Sequence, residues 1–196
     1  SEALLRKVIG QCPDVNLVQI YGQTECTGPC LLLPPERHTL SGPLAGKLNT
    51  AGRANMTSEV CIGDETGKPT GPGVAGEVLI RGPSVMQGYW KQPEITEQTM
   101  KDGWLHTGDV GVMDTDGYIR IVDRLKDMIV TGGENVFCGE VENAISEHPD
   151  AIACAVVGIP DEKWGERVHA FVVVTEETIL TEGMLRDHCK TLLAGY

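Results

Sequence analysis

Three short stretches hold the side chains whose types and spacing could do chemistry. They are Tyr21-Gly22-Gln23-Thr24-Glu25, the run GWLHTGDVG from Gly103 to Gly111, and GYIRIVDRLKDMIVTGGENV from Gly117 to Val136. Among the groups they offer are the Tyr21 ring, the Thr24 hydroxyl, the carboxylates of Glu25 and Asp109, the cations of Arg124 and Lys126, and glycines that let backbone approach a ligand. Such donors, acceptors and placed cations could hold a small anionic molecule. Each stretch also has a plain structural reading. Tyr21 to Glu25 is an ordinary strand-to-loop exit, Gly108-Asp109 is common turn punctuation, and Gly132-Gly133 is a tight hairpin turn. His106 stands beside Asp109 as an incidental neighbour rather than an acid–base group.

The elements that must position these residues follow from periodicity. Leu4, Leu5, Val8 and Ile9 share one face of an N-terminal helix, and Val15 to Ile20 reads as a short buried strand. Residues 28–56 are rich in breakers and read as loop. EVCIG and GEVLIRG then make one hairpin, and VGVMD and GYIRIVD a second, closed by Asp116-Gly117. From Arg124 the order becomes β-β-α-β-β-α. Val141, Ala144, Ile145 and His148 line one helix ahead of Pro149, and Thr181 caps the last helix, with Met184, Leu185, His188, Cys189 and Leu192 on its stripe. The expected class is α+β: the end of a large α/β domain (residues 1–55), a small antiparallel β-barrel subdomain (56–123), and a compact α+β C-terminal domain (124–196).

Composition narrows the function classes. Sixteen Lys and Arg against 28 Asp and Glu leave a net charge of −12, which argues against nucleic acid and anionic membrane as partners. An anionic small ligand is not excluded, provided local donors, a metal ion or a few placed cations hold it. Seven cysteines include no Cys-x-x-Cys pair, so neither a disulfide framework nor a zinc site is expected, and a reducing cytoplasm suits the chain. Cys154, in IACAVVGI, reads as a small core hydrophobe. No apolar run reaches the roughly 18 residues of a membrane span. The chain starts without Met and stops at LLAGY, as a piece cut from a longer protein would.

In this order and with these gaps, the three stretches resemble the adenylate-forming superfamily, and GEVLIRGPSVMQGYWKQPEITEQTM and EVENAISEHPDAIACAVVGIPDEKWGERVHAFVV resemble its acyl-CoA ligases. The resemblance covers about residues 15–196 and implies a reaction: a carboxylate joins ATP to give an acyl-adenylate, then passes its acyl group to coenzyme A. It also implies roles. Tyr21 is the face for adenine, Gly22 leaves room for the reacting groups, Gln23 completes the nucleotide loop, Thr24 donates to the α-phosphate, and Glu25 holds Mg²⁺. Asp109 accepts from the ribose hydroxyls, Arg124, 15 positions on, reaches the ribose and phosphate region, and Ile121 walls the adenine. Lys126 is the hinge of a mobile small domain, and Gly132 and Gly133 belong to a loop lining the coenzyme A tunnel.

The phosphate-cradling loop and catalytic lysine that the resemblance calls for have no counterpart here, so the isolated chain is expected to be inactive. Phe137-Cys138-Gly139 departs from the family pattern, and Gly139 is expected to loosen the following helix. An apolar strand without its sheet predicts either disorder over residues 1–40 or pairing of copies into a homo-oligomer. Two other readings stand: an adenylation domain loading a carrier protein, and a noncatalytic AMP-binding module.

Overall fold

A computed structural model of the chain describes residues 2–175 and 179–193. The fold is mixed α+β, every strand pairing among the described residues is antiparallel, and the chain divides into two compact units, Ser1–Ile121 and Val122–Tyr196.

In the first unit, α1 (Glu2–Gln11) half-buries Leu5, Val8 and Ile9 and leaves Leu4 exposed. The strand expected over Val15–Ile20 instead forms later, as β1 (Gln19–Gln23). The ladder sets this limit: partners exist only from Gln19, which faces Leu33 of β2 (Gly28–Leu33). β2 lies in a segment expected to be loop. Its Gly-Pro opening resembles a breaker, but the register slips between Tyr21 and Gly22, and Pro29 sits at that irregularity, where a missing N–H costs little. Cys30, Leu31 and Leu33 bury completely, which is what holds the strand in place. The N-terminal strand therefore has a partner in its own chain, against the expectation of an unpaired strand. A short β3 (Arg53–Ala54) completes this sheet in the order β1-β2-β3.

The second sheet of this unit runs β4-β5-β7-β6, from β4 (Glu59–Gly63), β5 (Ala75–Arg81), β7 (Trp104–Met113) and the two-residue β6 (Met100–Lys101), with β8 (Ile119–Arg124) paired to β7. α2 (Pro93–Thr99) precedes β6. The expected hairpins are present, but β7 begins at Trp104 and so carries Asp109 inside a strand rather than in a turn. Ile62, Val78, Ile80, Leu105 and Ile119 form one core with Cys30 and Leu31 of β2 and with Cys26 and Ala51 from the segments flanking the first sheet's strands.

The second unit has its own core. β9 (Ile129–Thr131), β10 (Glu134–Val136), β11 (Ala151–Asp161) and β12 (Gly165–Val174) make a sheet in the order β10-β9-β12-β11. α3 (Cys138–Ser146) packs Val141 and Ile145 against Ile129, Val136 and Val156. Gly139 does not loosen α3: its amide donates to Asp123 Oδ2 at 3.1 Å, and a Cβ there would press on the Val122 carbonyl. The Thr181 hydroxyl caps α4 (Glu182–Leu192) by accepting from the Met184 amide at 3.3 Å. Leu185, His188 and Cys189 face inward, while Met184 and Leu192 of the expected stripe stay exposed. Cys154 is half-buried, and Val156 takes the buried place on β11.

Candidate functional site

Tyr21 and Asp109, 88 residues apart, meet directly: the phenol donates to Asp109 Oδ2 at 2.6 Å. Gln23 Nε2 donates to the same oxygen at 3.0 Å and to the Thr107 carbonyl at 2.9 Å. β1 makes this possible because Gln19, Tyr21 and Gln23 share one face of the strand, two residues apart. The Asp109 residue is 7% exposed, so its carboxylate is held in a setting where charge-assisted hydrogen bonds are strong. Burial, and then the hydrogen bond to Asp109, push the Tyr21 phenol well above its ordinary range. It therefore remains a neutral donor at any physiological pH.

Past Gln23 the chain turns in a 3-10 turn, Thr24–Cys26, that ends on Thr27 at φ 58°. Thr24 is exposed there, Glu25 is half-buried and Cys26 is fully inside. Residues 84–89 grip this turn from outside. The Met86 amide donates to the Glu25 carbonyl at 2.7 Å, the Thr27 hydroxyl donates to the Ser84 carbonyl at 2.8 Å, and the Tyr89 phenol donates to Glu25 Oε1 at 2.8 Å. The hydrogen bond to Glu25, more than burial, raises the Tyr89 phenol. The pin fixes the direction of the Glu25 carboxylate. Among the described residues no group of three His, Cys, Asp or Glu gathers to hold a metal. A single fixed carboxylate is the kind of oxygen group that Mg²⁺, which takes one or two carboxylates and completes its shell with phosphate and water, could use.

Gly22 permits no side chain, since a Cβ would overlap the Gly28 carbonyl across the bulge. Ile121, half-buried, packs on the same core as Tyr21. Tyr21, Gln23 and Asp109 are thus brought together, with Thr24 and Glu25 on the adjoining turn and Ile121 on the shared core. The other predicted residues belong to the second unit. Arg124 and Lys126 are exposed at the start of a 3-10 turn, Leu125–Asp127. Gly132 and Gly133 make the β9–β10 turn at φ 59° and 88°, with the Gly132 amide donating to the Trp164 carbonyl at 2.8 Å and the Trp164 ring filling the place a Cβ at Gly132 would need.

Sequence reasoning missed Glu77, Tyr89 and Thr107. Glu77 carried one signal, a carboxylate in the apolar alternation of GEVLIRG, and Thr107 lay unremarked beside Asp109. Nothing local marked Tyr89, because its partner is 64 residues away.

Known proteins resemble the chain along its whole length. The family model described as AMP-binding enzyme matches residues 1–90, and that of the AMP-binding enzyme C-terminal domain matches residues 140–196. A feruloyl-CoA synthase from Amycolatopsis sp. is 43% identical over 179 residues, 91% of this chain and 35% of the relative. A 2-succinylbenzoate–CoA ligase from Geobacillus kaustophilus is 38% identical over 193 residues, 97% of this chain and 38% of the relative. Among solved structures, the o-succinylbenzoate CoA synthetase of Bacillus subtilis in complex with an acyl-adenylate intermediate superposes at TM-score 0.86 and 33% identity, over 100% of this chain and 38% of that one. ATP-bound MatB from Rhodopseudomonas palustris superposes at TM-score 0.87 and 31% identity, over 98% of this chain and 37% of that one. The chain thus spans a little over a third of the length of these relatives. With two successive family models matched and its fold shared along the whole chain, it belongs to the adenylate-forming superfamily of AMP-binding enzymes.

Proposed function

We propose that the chain supplies the adenylate-binding part of an ATP-dependent carboxylate–CoA ligase acting on a fatty or related acid. The observation that carries this reading is the bond from the Tyr21 phenol to Asp109 at 2.6 Å, which fixes an aromatic face beside a buried carboxylate. Adenine lies on the Tyr21 ring, with Ile121 behind it, and the vicinal ribose hydroxyls donate to Asp109. Gly22 lets the reacting groups come close to backbone, Gln23 holds Asp109 in place, and the Thr24 hydroxyl donates to the α-phosphate. Glu25 would hold Mg²⁺, which when bound offsets phosphate charge as the carboxylate attacks. Arg124 reaches the ribose and phosphates, Lys126 is the hinge of the C-terminal unit, and Gly132 and Gly133 belong to the loop that lines the coenzyme A tunnel. Relatives named as CoA ligases support coenzyme A as the acceptor, although a fatty acid–[acyl-carrier-protein] ligase from Streptomyces coeruleorubidus, 44% identical over 173 residues, keeps a carrier protein in view.

The test is titration of the 196-residue chain with AMP while its backbone amides are followed by NMR. Shifts are expected at Tyr21–Glu25 and Gly108–Asp109, and Asp109→Ala should weaken binding about tenfold or more, the value of one to two charge-assisted hydrogen bonds. Shifts confined to other residues, or no saturable binding, would overturn the reading.

A further inference from the structure

The strand that carries Asp109 is interrupted. Glu77 of β5 faces Val110 of β7, and Leu79 faces His106, so a single residue, Val78, spans the place where β7 spends Thr107, Gly108 and Asp109. A bulge of this size removes backbone groups from the ladder, and each must find another partner. The Thr107 hydroxyl donates to the Val78 carbonyl at 2.7 Å and accepts from the Asp109 amide at 3.1 Å. The Thr107 carbonyl takes Gln23 Nε2. The Gly108 amide, at the apex where φ is 72°, donates to Glu77 Oε1 at 2.9 Å. The other oxygen, Oε2, lies 2.6 Å from His106 Nδ1, and both side chains are more than four-fifths buried. His106, expected to be a bystander, thus aims the carboxylate that ties the bulge down.

We propose that Glu77 is the positioning residue for ribose recognition: its carboxylate, aimed by His106, holds the Gly108 apex and so sets where Asp109 presents its oxygens. The proposal rests on Asp109 being the ribose-binding group, as read above. Glu77 touches no ligand in this scheme. Without it the Gly108 amide has no partner beneath the bulge, the apex repacks, and Asp109 moves relative to Tyr21 and Gln23. Displacements of about 1 Å are enough to spoil a paired hydrogen bond.

The probe is the ratio of affinities for AMP and 2′,3′-dideoxy-AMP, measured calorimetrically on the 196-residue chain, since the second nucleotide lacks only the hydroxyls that Asp109 takes. The unaltered chain should favour AMP by about tenfold or more. Glu77→Ala should bring that ratio to within about threefold of unity while leaving dideoxy-AMP affinity nearly unchanged, because adenine stacking on Tyr21 does not depend on the bulge. Glu77→Gln keeps an acceptor for Gly108 and should keep the ratio. If Glu77→Ala does not fold, Glu77→Asp, whose carboxylate stops a methylene short of Gly108, should show the same loss. Retention of the ratio in whichever of these two variants folds, or its loss in Glu77→Gln to the same extent, overturns the proposal. An unaltered chain that binds both nucleotides equally overturns the ribose reading itself, and this one with it.

Discussion

Asp109 Oδ2 takes a phenol and an amide at once, and the two donors do different work. Gln23 also holds the Thr107 carbonyl, so it ties β1 to the bulge of β7, whereas Tyr21 donates its phenol to Asp109 and presents a ring. Tyr21→Phe keeps that ring and removes a donor from a buried carboxylate. It should lower stability by about 1–3 kcal/mol, the cost of a buried acceptor left short of a partner. The urea midpoint should fall while the slope stays constant, and a midpoint unchanged within error would show the bond to be worth nothing net. Because the ring remains, dideoxy-AMP should bind this variant as well as the unaltered chain.

At the scale of elements, the β7–β8 hairpin shows how a tight turn is secured. Asp114 Oδ1 accepts from the Asp116 and Tyr118 amides, both at 2.9 Å, and Lys47 Nζ donates to Asp114 Oδ2 at 2.6 Å and to Asp116 Oδ2 at 3.0 Å. Burial pulls the Asp114 carboxyl upward, but Lys47 and the two amides outweigh it and hold the group below its ordinary range. The hydrogen bonds to Asp114 and Asp116 raise the Lys47 ammonium in turn. A depressed carboxyl stabilises the fold above its unfolded value and loses that contribution as pH falls through the folded value. A raised ammonium stabilises below its unfolded value and loses its contribution as pH rises through the folded one. Lys47→Met should therefore cost a constant amount between about pH 5 and 9, and the gap should narrow below about pH 4 as Asp114 protonates. With Asp114 and Asp116 partly exposed the cost should stay near ~1 kcal/mol. Urea midpoints of both proteins across that range decide it, and a gap that widens in acid would show that the turn is not held by this ion pair. A second element, the β1–β2 bulge, depends on sterics alone. Gly22→Ala sets a Cβ against the Gly28 carbonyl and should destabilise by about 3 kcal/mol or more, since backbone on both sides must shift.

At the scale of the molecule, the two hydrophobic cores share no residue among those described: one gathers Ile80, Leu105 and Ile119, the other Ile129, Val141 and Ile145. Ile145 is 1% exposed, and Ile145→Ala should cost about 2–5 kcal/mol of transfer and cavity energy. Amide exchange should quicken over α3, β11 and β12 and stay unchanged over β5 and β7. Faster exchange in both sets would show that the units unfold as one. Among the described residues no helix is long and apolar enough to cross a membrane.

Much of this was legible in the amino-acid order. The Asp116-Gly117 hairpin, the helix that ends before Pro149, and the Thr181 cap are local devices whose partners lie within a few residues, so composition and period suffice to find them. The ordered stretches that mark the superfamily are local in the same sense. What the tertiary structure alone decided is how those stretches become a site. Pro29 falls in a strand because a register slip excuses its missing N–H, and Asp109 sits on a bulge because Glu77 and Thr107 satisfy the backbone there. Tyr21 meets Asp109 across 88 residues of chain. Such pairings are set by which apolar faces bury together, and no window of sequence short enough to read by pattern contains both partners.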